Sequence, residues 1–234
     1  VSDAPVDLLL SSGYLAFARH AGVLRVVEER GVPVDAVVGT SSGSLVGALW
    51  ASGMSSERIV TQLEAARPWR FVALHAAPWR GLLRLDPMVA WLHTVLPPTF
   101  AGLARPFAVG VSVRRGDAVE AHLLTDGPLP EAIAASCAIP GLFASPMDGP
   151  WGAWRDGGYA DRLMAGPWRA WRGERPGLGH AVARSAGREV PLPASLPVIR
   201  TPRARASLWG LRDVRAQADE AADAARRALD AAGR

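Results

Sequence analysis

The chain opens on a short apolar run, Val6-Asp7-Leu8-Leu9-Leu10, that breaks at Ser11-Ser12-Gly13 and reads as a buried strand followed by a turn. From Ala16 to Arg30 the period lengthens: Ala21, Val23, Leu24 and Val27 fall on one face and Gly31 stops the run, which predicts an amphipathic helix. A second apolar run, Val34 to Val38, leads through a glycine-framed turn into a small and apolar stretch that ends at Ala51. Strand, helix, strand, helix is the order of a parallel sheet with helical crossovers, so an α/β fold is expected.

The rest of the chain extends this pattern. Ser55 to Ala66 reads as a serine-capped helix, and Asp86-Pro87 as a cap and first-turn proline opening a helix through Leu96. Phe107 to Val113 and Ala118 to Leu124 alternate around Arg114-Arg115-Gly116-Asp117 and predict a hairpin. A helix is expected from Pro130 to Ala138, then a glycine- and proline-rich loop region over 141–162. His180 to Ser185 and Leu196 to Arg200 are candidate late strands, and an alanine-striped helix closes the chain from about Arg212 to Ala232. A length of 234 residues suits one domain, 1–234.

Composition narrows the function classes. All 26 basic residues are arginine and the net charge is only +4, a balance that attracts anionic surfaces without requiring nucleic acid. No like-charge block, RNA-type aromatic pattern or zinc-type Cys/His spacing is present, so neither a nucleic-acid partner nor a metal is expected. His75, His93 and His122 have no partners at metal spacing, and the single cysteine, Cys137, reads as a small buried hydrophobe. Without a charged and then apolar leader before Val6, and with apolar runs too short for a bilayer, the expectation is a cytoplasmic protein, at most peripheral to a membrane. The Arg200 to Arg215 stretch reads as a solvated connection.

The turn after the second strand carries the candidate chemistry. Gly39-Thr40-Ser41-Ser42-Gly43 fits a Gly-x-Ser-x-Gly elbow in one frame, with Ser41 at its centre. A tight strand-to-helix turn of this type leaves little room for side chains at Gly39 and Gly43 and projects the central hydroxyl from the sheet edge. A phosphate loop is excluded because no Lys-Ser or Lys-Thr pair follows, and a dinucleotide fingerprint because the glycine spacing is wrong. Alone, the motif fits close packing as well as catalysis. A serine nucleophile needs a base, and Asp156-Gly157-Gly158 offers a carboxylate on a sharply bending backbone, although such a tripeptide is also an ordinary turn.

Taken in order, four pieces resemble the patatin-like phospholipases: the first strand and glycine turn followed by His20-Ala21-Gly22-Val23-Leu24; the elbow at Gly39 to Gly43; Ala135-Ser136 leading to Ile139-Pro140-Gly141-Leu142-Phe143; and Asp156-Gly157-Gly158. The resemblance spans about residues 6 to 163. It implies a three-layer α/β/α sandwich with a mostly parallel central sheet and a Ser-Asp dyad without histidine, acting on a lipid ester with no metal and no diffusible cofactor. On this chain Ser41 becomes the nucleophile and Asp156 the base. The N–H groups of Gly13, Tyr14 and Ser42 are the expected oxyanion donors.

Two departures accompany the likeness. The family's oxyanion turn has three glycines and then a basic residue, where this chain has Ser12-Gly13-Tyr14 and Ala16; after Asp-Gly-Gly, Arg162 and Met164 stand where the family has Asn and Pro. A catalytically weak lipid-binding or regulatory module is therefore the alternative reading; acyl transfer to an alcohol, by the same dyad in a pocket that excludes water, is another. An α/β-hydrolase triad of Ser41, Asp156 and His180 is disfavoured, because that fold lays down several strands before its elbow. His180 reads as a surface or strand-end residue and His20 as packing near the turn. Trp69, Trp79 and Trp168 lie between proline and arginine, and Trp154 and Trp171 precede arginine, as membrane-seating loops or as core caps with stacked arginine. Residues 52–105, read as helical, are the candidate lid or acyl-chain wall.

Overall fold

In the computed structural model, residues 4–183, 192–193 and 195–231 are described. Seven strands form one mixed sheet: β1 (Val6–Leu10), β2 (Val34–Thr40), β3 (Phe107–Arg115), β4 (Ala118–Leu124), β5 (Arg155–Asp156), β6 (Gly177–Val182) and β7 (Val198–Thr201). Their order is β7-β6-β1-β2-β3-β4. All neighbours are parallel except β3 and β4, the hairpin, and β5 pairs antiparallel with β3.

Alternation along the strands builds two cores. Leu8, Leu10, Val37 and Val109 face the larger one, under α1 (Phe17–Glu29), α2 (Ser42–Ala51), α3 (Ser56–Ala65), α4 (Asp86–Val95), α5 (Leu129–Ser136) and α7 (Val214–Ala231). Leu9, Val38 and Ala108 face the smaller one, covered by Met164 and by Ala165 and Trp168 of α6 (Ala165–Arg172). The result is the three-layer α/β/α sandwich with a mostly parallel sheet. Its second helical layer is thin.

Several boundaries differ from the sequence reading. The strand expected over 180–185 starts three residues earlier, at Gly177, because Asp7 to Leu10 of β1 pair with Gly177 to His180; residues 184 and 185 lie outside the described residues, as does residue 232 of the last helix. Ser55 caps α3 as expected, its hydroxyl accepting from the Arg58 N–H (3.3 Å). Asp86 instead sits inside the first turn of α4, and its carboxylate pairs with Arg84 (2.7 Å). Residues 52–105 are not wholly helical: Ala73–Leu74 and Leu83–Arg84 form a small antiparallel ribbon. Within 200–215, Arg205 pairs with Glu220 and Arg215 with Glu57 and Glu64, so part of that stretch is pinned to helices by ion pairs.

Trp168 is a core residue, not a seating loop. Its indole N–H donates to Asp7 (2.9 Å), a buried carboxylate of β1 that also accepts from Arg172 (2.9 Å). Trp154 is buried too, whereas Trp69 and Trp79 are exposed.

Candidate active site

β2 stops at Thr40, and Ser41 turns the chain into α2 with φ 52° and ψ −117°, a conformation that costs a non-glycine residue on the order of 1–3 kcal/mol. The flanking glycines make that turn possible. A Cβ on Gly39 would lie 2.5 Å from the Gly43 carbonyl oxygen, and one on Gly43 2.3 Å from that of Leu10. Ser136 secures the strained peptide: its hydroxyl accepts from the Ser41 N–H (2.7 Å) and donates to the Gly110 carbonyl (2.6 Å). Nothing in the periodicity assigned Ser136 a role; the available signal was a serine at the end of an otherwise apolar helix.

Asp156 reaches Ser41 through sheet register. Thr40 pairs with Gly110 of β3, and Asp156 pairs with Val111, the next residue along. Since β4 covers the opposite edge of β3 over the same residues, β5 fills the edge that β2 leaves at the elbow. The backbone of Asp156 is fixed at both ends of its peptide, by its N–H to Ala138 (3.0 Å) and by the Ser112 hydroxyl to its carbonyl (2.8 Å). Gly157 and Gly158 allow the approach, as their Cβ atoms would lie 2.5 Å from the Gly110 carbonyl and 2.4 Å from the Ser12 hydroxyl.

Asp156 is 6% exposed. Burial pushes its pKa up to about 6, against the hydrogen bond from Ser41, the Gly158 N–H (2.8 Å) and the positive charge of Arg162. A carboxylate with that value is still mostly ionised at neutral pH, and it is a stronger base than an exposed one.

The turn after β1 faces this pair. Gly13, Tyr14 and Ser42 line the same cavity as Ser41 and Asp156. Among the described residues the N–H groups of Gly13 and Tyr14 have no protein acceptor, and that of Ser42, first in its helix, has no intrahelical one. The left-handed residue of the turn is Leu15 (φ 48°) rather than Gly13, whose Cβ would instead crowd Ala16 at 2.9 Å. Arg162 clamps the turn from the Asp156 loop. Its guanidinium donates to the carbonyls of Ser12 and Val182 (both 2.6 Å) and to the Ser12 hydroxyl (3.2 Å), while its own carbonyl accepts from the Ser12 N–H (3.0 Å). The sequence showed Arg162 only as a departure; its partners are 20 and 150 residues away.

The cavity holds about 540 Å³, with Phe71, Leu85, Met88, Leu142 and Phe143 among its apolar walls. The 68–88 part of residues 52–105 therefore supplies one wall. Cys137, half-buried, also lines it; burial and the Asp156 charge push its thiol up, so it stays protonated. No described histidine lines the cavity.

His180 is neither at the surface nor at a strand end. It is fully buried within β6, with one ring nitrogen 2.8 Å from His20 Nδ1 and the other 2.9 Å from the Thr201 hydroxyl. His20 is equally buried, and its Nε2 lies 3.2 Å from the hydroxyl of Ser42, not Ser41. Burial holds the His20 pKa down to about 3 and His180 well below its ordinary value, so both stay neutral. His93 and His122 pair with Glu131 and Glu120, and no group of three His, Cys, Asp or Glu residues suited to a metal occurs among the described residues.

A strand-to-helix serine facing a buried carboxylate, with no imidazole on the cavity wall, sets the chain among α/β/α proteins with a Ser-Asp pair. The chain belongs to the patatin-like phospholipase family, whose model matches residues 8–167. It is 32% identical over 169 residues to lysophospholipase NTE1 of Mycosarcoma maydis, covering 68% of this chain and 9% of that protein. To the neuropathy target esterase sws of Drosophila melanogaster it is 42% identical over 64 residues, 27% of this chain and 4% of that one. It thus spans a small fraction of these relatives' length. Among solved structures, VipD from Legionella pneumophila superposes with a TM-score of 0.56 at 14% identity, over 97% of this chain and 67% of that one. A chain of the heterodimeric ExoU-SpcU complex of Pseudomonas aeruginosa gives 0.51, also at 14% identity, over 97% and 52%. At these identities the likeness is one of fold.

Proposed function

We propose that the chain is a serine acyl hydrolase for phospholipid, lysophospholipid or a related lipid ester. The observation that carries this reading is the buried Asp156 carboxylate, which shares the wall of an apolar cavity with Ser41 and whose pKa Ser41 lowers. The Ser41 hydroxyl attacks the ester carbonyl as its proton passes to Asp156, and the N–H groups of Gly13, Tyr14 and Ser42 receive the developing oxyanion. Collapse expels the alcohol, which takes the proton from Asp156 and leaves an acyl group on Ser41. Water then attacks the acyl carbonyl as Asp156 takes its proton, and collapse breaks the acyl–Ser41 bond, the proton passing from Asp156 to Ser41 Oγ as the fatty acid leaves. The acyl chain occupies the apolar side of the cavity, under the wall or lid formed by residues 68–88. A family match and relatives named as a lysophospholipase and an esterase support the same substrate class.

Peripheral contact with a lipid surface belongs to this reading. Trp69 and Trp209 are exposed beside the cavity-lining Pro68 and Leu208, and the Trp69 N–H donates to the Leu208 carbonyl (2.9 Å). Leu74, Trp79 and Leu82 project from the nearby ribbon. Indole rings next to arginine favour the headgroup layer.

Labelling with a fluorophosphonate probe, read by intact mass, tests the chemistry. The native protein should take one label, Ser41→Ala none, and Asp156→Asn should label far more slowly. A folded native protein that stays unlabelled would favour the lipid-binding module instead.

A further inference from the structure

A second cavity, of about 560 Å³, adjoins the first: Tyr14 and Ala183 line both. The two differ in chemistry. The first is mainly apolar, while the second is lined by Arg19, Arg203 and Arg205, with Glu220 its one carboxylate. Glu220 is shared between Arg19 (2.7 Å) and Arg205 (2.9 Å), so one negative charge faces two positive ones. Arg19 is fully buried, and its Nε has no hydrogen-bond partner among the described residues. Arg203, unlike Arg19 and Arg205, has no ion pair among the described residues. Two of its three arginines share one carboxylate, so the cavity is cationic. An anion in this space would meet the exposed guanidinium groups of Arg203 and Arg205, whose charge-assisted hydrogen bonds are strong.

We propose that this cavity is the subsite for the phosphate of a glycerophospholipid, with Tyr14 as the divide between head group and acyl chain. The proposal rests on the hydrolase reading. In such a lipid the phosphate is one glycerol unit from the ester carbonyl, and here Tyr14, in the turn that faces Ser41, also lines the arginine cavity. Arginine suits phosphate oxygens because its planar donors engage two at once.

The test uses non-hydrolysable ether lipids, so that it does not depend on turnover. Binding of an alkyl ether lysophospholipid and of the matching alkylglycerol, which lacks phosphate, is measured by calorimetry on the native protein and on Arg203→Glu, Arg203→Ala and Arg203→Lys. The lysophospholipid should bind at least about tenfold more tightly than the alkylglycerol. Arg203→Glu should erase that preference and leave alkylglycerol binding unchanged; Arg203→Lys should keep part of it. Equal binding of the two lipids, or equal losses for both in Arg203→Glu, would overturn the subsite. Inorganic phosphate that competes as well as glycerol 3-phosphate would also overturn it, since the cavity would then take free phosphate and not a head group. Absence of fluorophosphonate labelling at Ser41 would count against the hydrolase reading alone.

Discussion

Asp156 and Thr40 occupy successive places along one edge of β3, opposite Val111 and Gly110 respectively, so the strand that carries the carboxylate and the strand that delivers the serine end beside each other. The Ser41 and Asp156 side chains meet because of this register, and no loop has to be held in place by a third catalytic residue. Both partners inherit the rigidity of the sheet. The raised pKa of Asp156 follows from the same burial.

That pKa sets a pH profile. Hydrolysis needs the ionised carboxylate, so kcat/KM should climb about tenfold per pH unit below about 6 and level off above it. Arg162 holds this value down by its charge. Arg162→Gln should move the acid limb to higher pH and lower kcat by about 10- to 100-fold, since the Gly13 turn also loses its clamp; Arg162→Lys should restore the position of the limb more fully than the rate. A profile that stays in place in Arg162→Gln would make the arginine a structural clamp alone.

The sign is opposite for stability. A folded-state pKa raised from 3.8 to about 6 means that the fold favours the protonated carboxyl, so this group's contribution is present below pH 4 and is lost as pH rises through 6. Asn copies the neutral acid and can still accept from the Gly158 N–H. Asp156→Asn should therefore match the native protein near pH 4 and exceed its stability at pH 8 by on the order of 1–3 kcal/mol. Urea unfolding at the two pH values measures the difference.

The elbow and the carboxylate were legible in the sequence because their geometry is written locally: Gly39, Gly43, Gly157 and Gly158 each mark a close backbone approach. Residues whose partners come from distant strands were not. His180 looked like a strand end until the β1–β6 register placed it beside His20, and Arg162 became a clamp only once β6 brought Val182 to it. The eight-residue helix α6 escaped because Pro167 and alternating tryptophan and arginine interrupt its period. The Pro-Trp-Arg repeats looked alike in sequence; burial separates Trp168 from Trp69 and Trp79.

Ser136 offers a direct probe of the strained turn. Ser136→Ala removes the acceptor from the Ser41 N–H and the donor to Gly110, leaving both backbone groups unpaired, at a cost of about 1–3 kcal/mol. Because the lost bond holds φ of Ser41 positive, fluorophosphonate labelling should slow as well. An unchanged labelling rate would show that the flanking glycines suffice to hold the elbow.

The buried histidine pair should make the fold acid-sensitive. His20 and His180 stay neutral inside, whereas in the unfolded chain they take up protons near 6.5, so their contribution is present above that pH and fades as pH falls towards 3. Replacing both by glutamine keeps polar partners but removes the titration. The stability of His20→Gln/His180→Gln should then depend less steeply on pH between 6.5 and 4 than that of the native protein. Parallel slopes would mean that other groups dominate acid unfolding.

Exposed aromatics near the cavity mouth make lipid docking separable from chemistry. Trp79 and Trp209 are 84% and 80% exposed, so truncating them removes little packing. With indoles anchoring in the headgroup layer, Trp79→Ala/Trp209→Ala should weaken partitioning onto vesicles containing anionic phospholipid by about tenfold. Hydrolysis of a soluble short-chain ester should be unchanged, because neither ring lines the cavity that holds Ser41. Equal losses in both assays would place these tryptophans in the support of the active site, and unaltered partitioning would move the docking face elsewhere on the molecule.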